Sequence, residues 1–270
     1  MRAAVLGSPI AHSLSPVLHR AAYSALGLDW DYAAIEVDAD GLPAFVDACG
    51  PEWRGLSLTM PLKTAVLPLL ESSSDVVNLV GAANTVVFAD GERCGHNTDV
   101  PGMRRAIAEV AGPDFSPRTA TIIGGGATAR SAVAAAAMLG ATDVHLALRT
   151  IGRVTEFDDL STRLGISLHP HGWQEGRHHL ESDVVIATTP PGTVEHLATA
   201  VPARPGILLD VAYGAGRSAL LTAWIAAGGA AAGGLDLLLW QAAEQVTLMT
   251  GREAPIEAMR AAMRASAEGA

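Results

Sequence analysis

The chain is 270 residues long and 49% hydrophobic, with a formal net charge of −10 at pH 7. That length supports a sizeable core and a division into two domains, while the acidic balance argues against a nucleic-acid or anionic-membrane partner, because counterion release needs a basic face. No apolar run reaches membrane-spanning length, and the start MRAAVLGSPIAH meets Gly7, Pro9 and His12 too early for a signal-peptide core, so a cytoplasmic protein is expected.

In chain order, RAAVLG reads as a buried strand and SPVLHRAAYSALG as a helix with Ser15 at N-cap, Pro16 at N1 and Gly27 after the last turn. DYAAIEV alternates as a second strand, a helix follows around LPAFVDACG, and RGLSLTM completes a βαβαβ pattern. GAANTVVFADGERCGHNTD predicts a hairpin turning at Asp90 and Gly91, hence a mixed sheet, with a helix from about Asp99. The Gly/Pro-rich GPDFSPR then separates this half from TATIIGGGATARSAVAAAAMLG, where a strand, a glycine turn and a helix open a second α/β unit. DVHLALR, DVVIATT and GILLDVAY are its further strands, with helical patterns between them, as in a parallel, doubly wound sheet. The run AAGGAAAGG reads as a helix end and a loop. From Leu235 the chain is helical through LDLLLWQAAEQVTLMTG, and again from about Pro255.

Rare residues point to chemistry. Lys63 is the sole lysine, and Asn78, Asn84 and Asn97 are the sole asparagines. A surface charge at position 63 could equally be arginine, which the chain uses everywhere else; an ammonium, unlike a guanidinium, can exchange its proton in catalysis. Cys49 and Cys94 are too few for a disulfide framework or a Cys-based zinc site. GGGATA, Gly124 to Ala129, matches G-x-G-x-x-A between an apolar strand and a helix, the setting in which a glycine turn lets backbone approach a pyrophosphate. An NAD site would place a carboxylate at the end of the next strand, but that strand ends ALRTIGR. Arg149 and Arg153 there suit a 2′-phosphate and favour NADP, unless both are ordinary surface residues. HPHGWQEGRHH gathers His169, His171, His178 and His179, but no carboxylate or Cys pattern at metal spacing accompanies them, and no metal site is expected.

SLS near the N-terminus, then SLTMPLK, GAANT and HNTD, followed by the dinucleotide turn, together resemble the shikimate dehydrogenase family. The resemblance runs from GSPIAHSLSP through GGLDLLLWQAAEQ, nearly the whole chain. It implies NADPH-dependent reduction of 3-dehydroshikimate to shikimate, in the route to chorismate and the aromatic amino acids. The implied architecture is α/β: a mixed-sheet substrate-binding catalytic domain over 1–101, a Rossmann-type NADP-binding domain over 102–236, and helices over 237–270 returning to the first domain. The resemblance assigns the substrate carboxylate to the hydroxyls of Ser13 and Ser15, makes Lys63 and Asp99 the catalytic pair, and adds Thr59, Asn84, Tyr213 and Gln241 as substrate contacts. Cofactor contacts carry over to Asp75, to Gly124, Gly125, Gly126, Ala127 and Thr128, to Arg149, Thr150 and Arg153, and to Val211 and Gly234.

The chain departs from the family's usual pattern at Ser57, Leu148, Ile186, Gly214, Ala215 and Leu237, none of them a catalytic group. Two other readings share these motifs: an NAD-linked quinate/shikimate or aminoshikimate dehydrogenase, and a non-catalytic ligand-sensing relative. A sensor has no need of a lysine and an aspartate, whereas this chain places its only lysine at the catalytic position. The expected partner is a small-molecule substrate, with a homodimer as the assembly to test. Taken alone, Ser15 also serves as a helix cap, which leaves Ser13 as the residue whose role a cap does not explain.

Overall fold

A computed structural model describes residues 1–173, 175, 179–214 and 216–268. The chain divides into two compact units, one comprising Met1–Thr98 with Leu238–Ala270 and the other Asp99–Leu237. Among the described residues, no helix is long and apolar enough to cross a membrane.

The first unit opens with β1 (Arg2–Gly7), α1 (Ser15–Ala25), β2 (Asp31–Glu36), α2 (Leu42–Asp47) and β3 (Trp53–Leu58), the expected βαβαβ. A short α3 (Leu62–Ala65), β4 (Ser72–Ser73) and α4 (Asp75–Val80) lead to the hairpin of β5 (Thr85–Ala89) and β6 (Glu92–His96). The sheet order is β2-β1-β3-β5-β6-β4. Pairing is parallel for β1 with β2 and β3, and antiparallel for β3 with β5 and β5 with β6. It is a mixed sheet, as the hairpin requires. Asp90 and Gly91 both take positive φ, 53° and 82°, the conformation of a two-residue turn whose twist matches its strands. Beneath the sheet, Leu6, Leu42, Val46, Leu56, Leu58, Leu62 and Val86 form one buried cluster. Burying Leu62 seats α3, and with it the residue that follows, Lys63.

The helix at the N-terminus differs from expectation at its first turn. Leu14 is the N-cap and makes no side-chain capping bond, so Ser15 is already helical and Pro16 is one place further in. The hydroxyl that caps is that of Ser13, which accepts the Ser15 N–H at 3.3 Å. Leu14 has near-helical φ and ψ, −88° and −1°, and this moves the start of the helix.

The second unit begins with α5 (Asp99–Ala111), then β7 (Thr119–Ile123), α6 (Ala127–Leu139), β8 (Asp143–Leu148), α7 (Asp158–Leu164) and β9 (Ser167–Gly172). After β10 (Val184–Ala187), β11 (Ile207–Asp210), α8 (Ala219–Ala226) and β12 (Ala230–Gly233), α9 (Gly234–Thr250) leaves this unit, and α10 (Ile256–Glu268) packs on α1 in the first. All six strands are parallel, in the order β12-β11-β10-β7-β8-β9. The chain winds outward from β7 through β8 and β9, then returns to place β10 on the other side of β7. This is the doubly wound order, with its switch point between β7 and β10. Because α5 packs against α6, β11 and β12, the GPDFSPR loop lies inside this unit rather than between units.

Three strands were not expected, the first being the two-residue β4. β9 is SLHPHG, an edge strand with one neighbour and partial exposure, so it has no apolar run to announce it, and its Pro170 is tolerated because an edge needs fewer N–H donors. β12 is AAAG, whose residues have low strand propensity; pairing with β11 from Ile207↔Ala230 to Asp210↔Gly233 makes it a strand.

Candidate active site

In the first unit, the motif residues gather at the carboxyl ends of β1 and β3 and the start of β5. Thr59 donates its N–H to Leu6 O at 2.9 Å, and a Cβ on Gly7 would collide with the Thr59 methyl, so glycine at 7 permits this close approach. Lys63 accepts the Ala83 N–H on its carbonyl at 2.8 Å, which ties α3 to the GAANT segment. Asn84 is 2% exposed. Its Oδ1 accepts from Thr98 N at 2.8 Å and from Thr85 Oγ1 at 2.9 Å, and its Nδ2 donates to Thr98 Oγ1 at 2.9 Å. Asn97 donates to Ala82 O at 2.9 Å. Two sequence motifs are thereby laced into one structure, and the lacing ends at Thr98, immediately before Asp99.

Behind this lacing lies a polar network that sequence reasoning missed. Gln245 on α9 is 1% exposed, and its Oε1 accepts from Ser57 Oγ at 2.8 Å and meets His19 Nε2 at 3.2 Å. Its Nε2 donates to Thr85 Oγ1 at 3.0 Å and to Asn84 O at 3.3 Å. Tyr32 donates to Ser57 at 2.7 Å, and its phenol also faces the Ser15 hydroxyl. With Oε1 as acceptor, His19 must carry its proton on Nε2, leaving Nδ1 to accept from Tyr23 OH at 3.3 Å. The available signal was the spacing of Gln241 and Gln245, one helical turn apart and so on one face of α9. Gln241, 9% exposed, turns its amide to Leu238 O at 3.0 Å within the same helix.

In the second unit, the nucleotide candidates line the carboxyl ends of the parallel strands. Gly124 follows β7 at φ +130°, and a Cβ there would run into Thr188 Oγ1 beyond β10; a side chain on Gly125 would meet Leu148. Gly126 has open space where a Cβ would stand and is the N-cap of α6, so backbone alone lines the approach to the start of that helix. This is a cradle that a phosphate fits. Arg149 and Thr150 are exposed just past β8, and Arg153 follows in a 3₁₀ segment, paired with Glu156 at 2.7 Å. Gly234 abuts the carbonyls of Val211 and Ala212, where any side chain would clash, so Val211, Tyr213 and Gly234 share the edge beyond β11 and β12. Asp75 is not among them. It lies in the first unit, in the first turn of α4 behind the Ser74 cap, where its charge favours the helix dipole.

Burial holds the His19 pKa at about 3, against an ordinary 6.5, so His19 is neutral in the folded chain. The unfolded chain takes up a proton below pH 6.5, so this residue lowers stability progressively as pH falls from 6.5 toward 3 and has no effect above 6.5. Urea unfolding across that range should show a midpoint that drops with acid, and His19→Gln should flatten the drop. Parallel slopes for both proteins would contradict the neutral assignment.

Comparison with known proteins places the chain among relatives. Residues 5–86 match the model of the shikimate dehydrogenase substrate binding domain, and residues 234–264 match that of the shikimate 5′-dehydrogenase C-terminal domain. The shikimate dehydrogenase (NADP(+)) of Methanothermobacter thermautotrophicus is 33% identical, over 96% of this chain and 94% of the relative. The crystal structure of Mycobacterium tuberculosis shikimate dehydrogenase superposes with a TM-score of 0.90 at 38% identity, covering 98% of this chain and 99% of that one. That of the Thermus thermophilus shikimate 5-dehydrogenase, in complex with NADP(H) and shikimate, gives 0.86 at 31% identity, covering 98% and 99%. With a relative 33% identical over 96% of this chain and 94% of its own length, the chain belongs to the shikimate dehydrogenase family.

Proposed function

We propose that this chain is an NADP-dependent oxidoreductase acting on CH–OH, interconverting 3-dehydroshikimate and shikimate on the route to chorismate. The observation that carries the reading is the lacing of Asn84 and Thr98 beside the chain's only lysine, in a member of this family. On this reading residues 1–101 bind substrate, residues 102–236 bind NADP, and residues 237–270 complete the first domain. A cytoplasmic location and a homodimer belong to the same proposal; light scattering on the purified protein checks the second.

Reducing a ketone requires a hydride at carbon and a proton at oxygen. The nicotinamide, when bound, supplies the hydride. The cradle described above fits the dinucleotide, with Gly124 to Thr128 at its pyrophosphate, Arg149, Thr150 and Arg153 toward the 2′-phosphate, and Val211 and Gly234 farther along the same edge. Arg153 must give up part of its exposed ion pair with Glu156 to serve, a small cost because such pairs contribute little. Lys63 gives its ammonium proton to the forming alkoxide and takes it back in the reverse direction, and Asp99 is the second catalytic group. Ser13 and Ser15 bind the substrate carboxylate in a protein of net negative charge using neutral hydroxyls and the positive end of α1. Thr59, Asn84, Tyr213 and Gln241 complete the grip on the ring hydroxyls. The amide of Asn84 suits this task because its orientation is set from behind by Thr85 and Thr98.

Mixing the protein with shikimate or quinate, each with NADP or NAD, and following reduced nicotinamide tests the assignment. Shikimate with NADP should be fastest; a preference for quinate or NAD would favour the quinate-type reading, and silence in all four mixtures would favour a sensor. Lys63→Ala should lower kcat by orders of magnitude with a nearly unchanged KM for shikimate, because the loss falls on the transition state. An unaltered turnover number would remove Lys63 from the chemistry. Arg149→Ala should raise KM for NADP far more than for NAD, and equal effects would mean that the guanidinium does not read the 2′-phosphate.

A further inference from the structure

One cluster has no part in the shikimate reading. Strand pairing places His145 of β8 opposite His169 of β9, and Ala147 opposite His171. Because side chains alternate along a strand, His169 and His171 share the face on which His145 lies. The turn after β9 adds His179. One nitrogen from each of His145, His171 and His179 falls within 4.8 Å of the other two, and all three residues are partly buried. His145 Nδ1 lies 3.0 Å from His171 Nε2, and the His179 ring stacks on both, with centroids at 4.1 and 3.8 Å. His169 stands at the margin, its ring 5.1 Å from that of His145 and its Nε2 3.7 Å from the Asp143 carboxylate. His178 lies outside the described residues.

We infer that His145, His171 and His179 form a binding site for a divalent late first-row transition ion such as Zn²⁺, separate from the substrate and NADP machinery. Three imidazoles with no thiolate suit zinc, nickel or copper, and exclude magnesium and calcium, which take oxygen ligands. Tetrahedral zinc with bonds of ~2.0–2.1 Å needs ligand nitrogens roughly 3.4 Å apart. The His145 and His171 nitrogens are already near that spacing, and the hydrogen bond between them occupies the place that an ion would take. Burial and the neighbouring imidazoles hold the His145 pKa at about 4, and burial also lowers that of His171, so both offer neutral lone pairs at pH 7. Water or His169 fills the fourth position. The ion would staple the edge strand β9 and the turn after it to β8, the strand that ends just before Arg149.

The experiment uses tag-free full-length protein, stripped with a chelator and titrated with Zn²⁺ by calorimetry in a non-coordinating buffer. One ion per chain should bind with a dissociation constant of ~1 µM or tighter. His145→Ala and His171→Ala should each weaken it at least ~100-fold, while His196→Ala, a change at an exposed histidine of the same unit, should not. Saturating Zn²⁺ should raise the unfolding temperature of the wild type by ~5 °C and leave His171→Ala unmoved. Co²⁺ in place of zinc should give the intense visible absorption of a tetrahedral site, lost in the same variants. If His145→Ala fails to fold by circular dichroism, His179→Gln at the turn carries the test instead. Millimolar affinity, or affinity unchanged by loss of His171 or His179, would overturn the inference and leave a stack of imidazole rings.

Discussion

The buried amide of Gln245 is the interaction on which the first unit depends. It accepts from two side chains and donates to two more acceptors, so it joins α9 to α1, β3 and β5 in a space from which water is excluded. A buried amide costs stability unless its bonds are made, and here the Asn84 carbonyl, which can only accept, fixes the Gln245 Nε2 on its side and so the Oε1 toward Ser57 and His19. Tyr32 gives to Ser57 and Ser57 gives to Gln245, which in turn gives to Thr85; Thr85 gives to Asn84. The last link is the amide proposed to face the substrate. Ser57, one of the positions at which the chain departs from its family's pattern, is a member of this relay and not a loss from it.

The second unit meets a different constraint, that of holding a polyanion in a chain with excess negative charge. On the proposed reading it does so mostly with backbone. A parallel sheet ends all its strands at one edge, the glycine turn brings the N-terminus of α6 to that edge, and Arg149 and Arg153 follow β8 there. Glycine at 124 and at 234 is required because a neighbouring hydroxyl or carbonyl fills the place of a side chain. Local placement of donors therefore outweighs the net charge, whose influence at a distance is screened by salt.

The sequence also carried most of this fold's grammar. Apolar runs and their punctuation marked the βαβαβ opening, the hairpin at Asp90 and Gly91, and the alternation of strand and helix in the second unit. They failed at β9 and β12, which are strands only because a neighbour offers a ladder, and at the first turn of α1, where two serines near a proline compete for one cap. Motifs named Lys63, Asn84 and Arg149 because unusual chemistry leaves a local mark. Gln245 left none, since its partners at 19, 57, 84 and 85 are remote in sequence and each is an ordinary residue.

The histidines show the same divide. Four imidazoles within eleven residues were visible in HPHGWQEGRHH, yet that segment alone has no metal-ligand spacing; the third member of the cluster, His145, is supplied from the adjacent strand by a register of main-chain hydrogen bonds. By itself the sequence determined the kinds of element, the family and the local motifs, because these rest on side-chain periodicity, turn chemistry and residues that few substitutes can replace. Only the tertiary structure decided which serine caps, which glutamine anchors and which histidines meet, because those depend on pairing between segments that are distant along the chain.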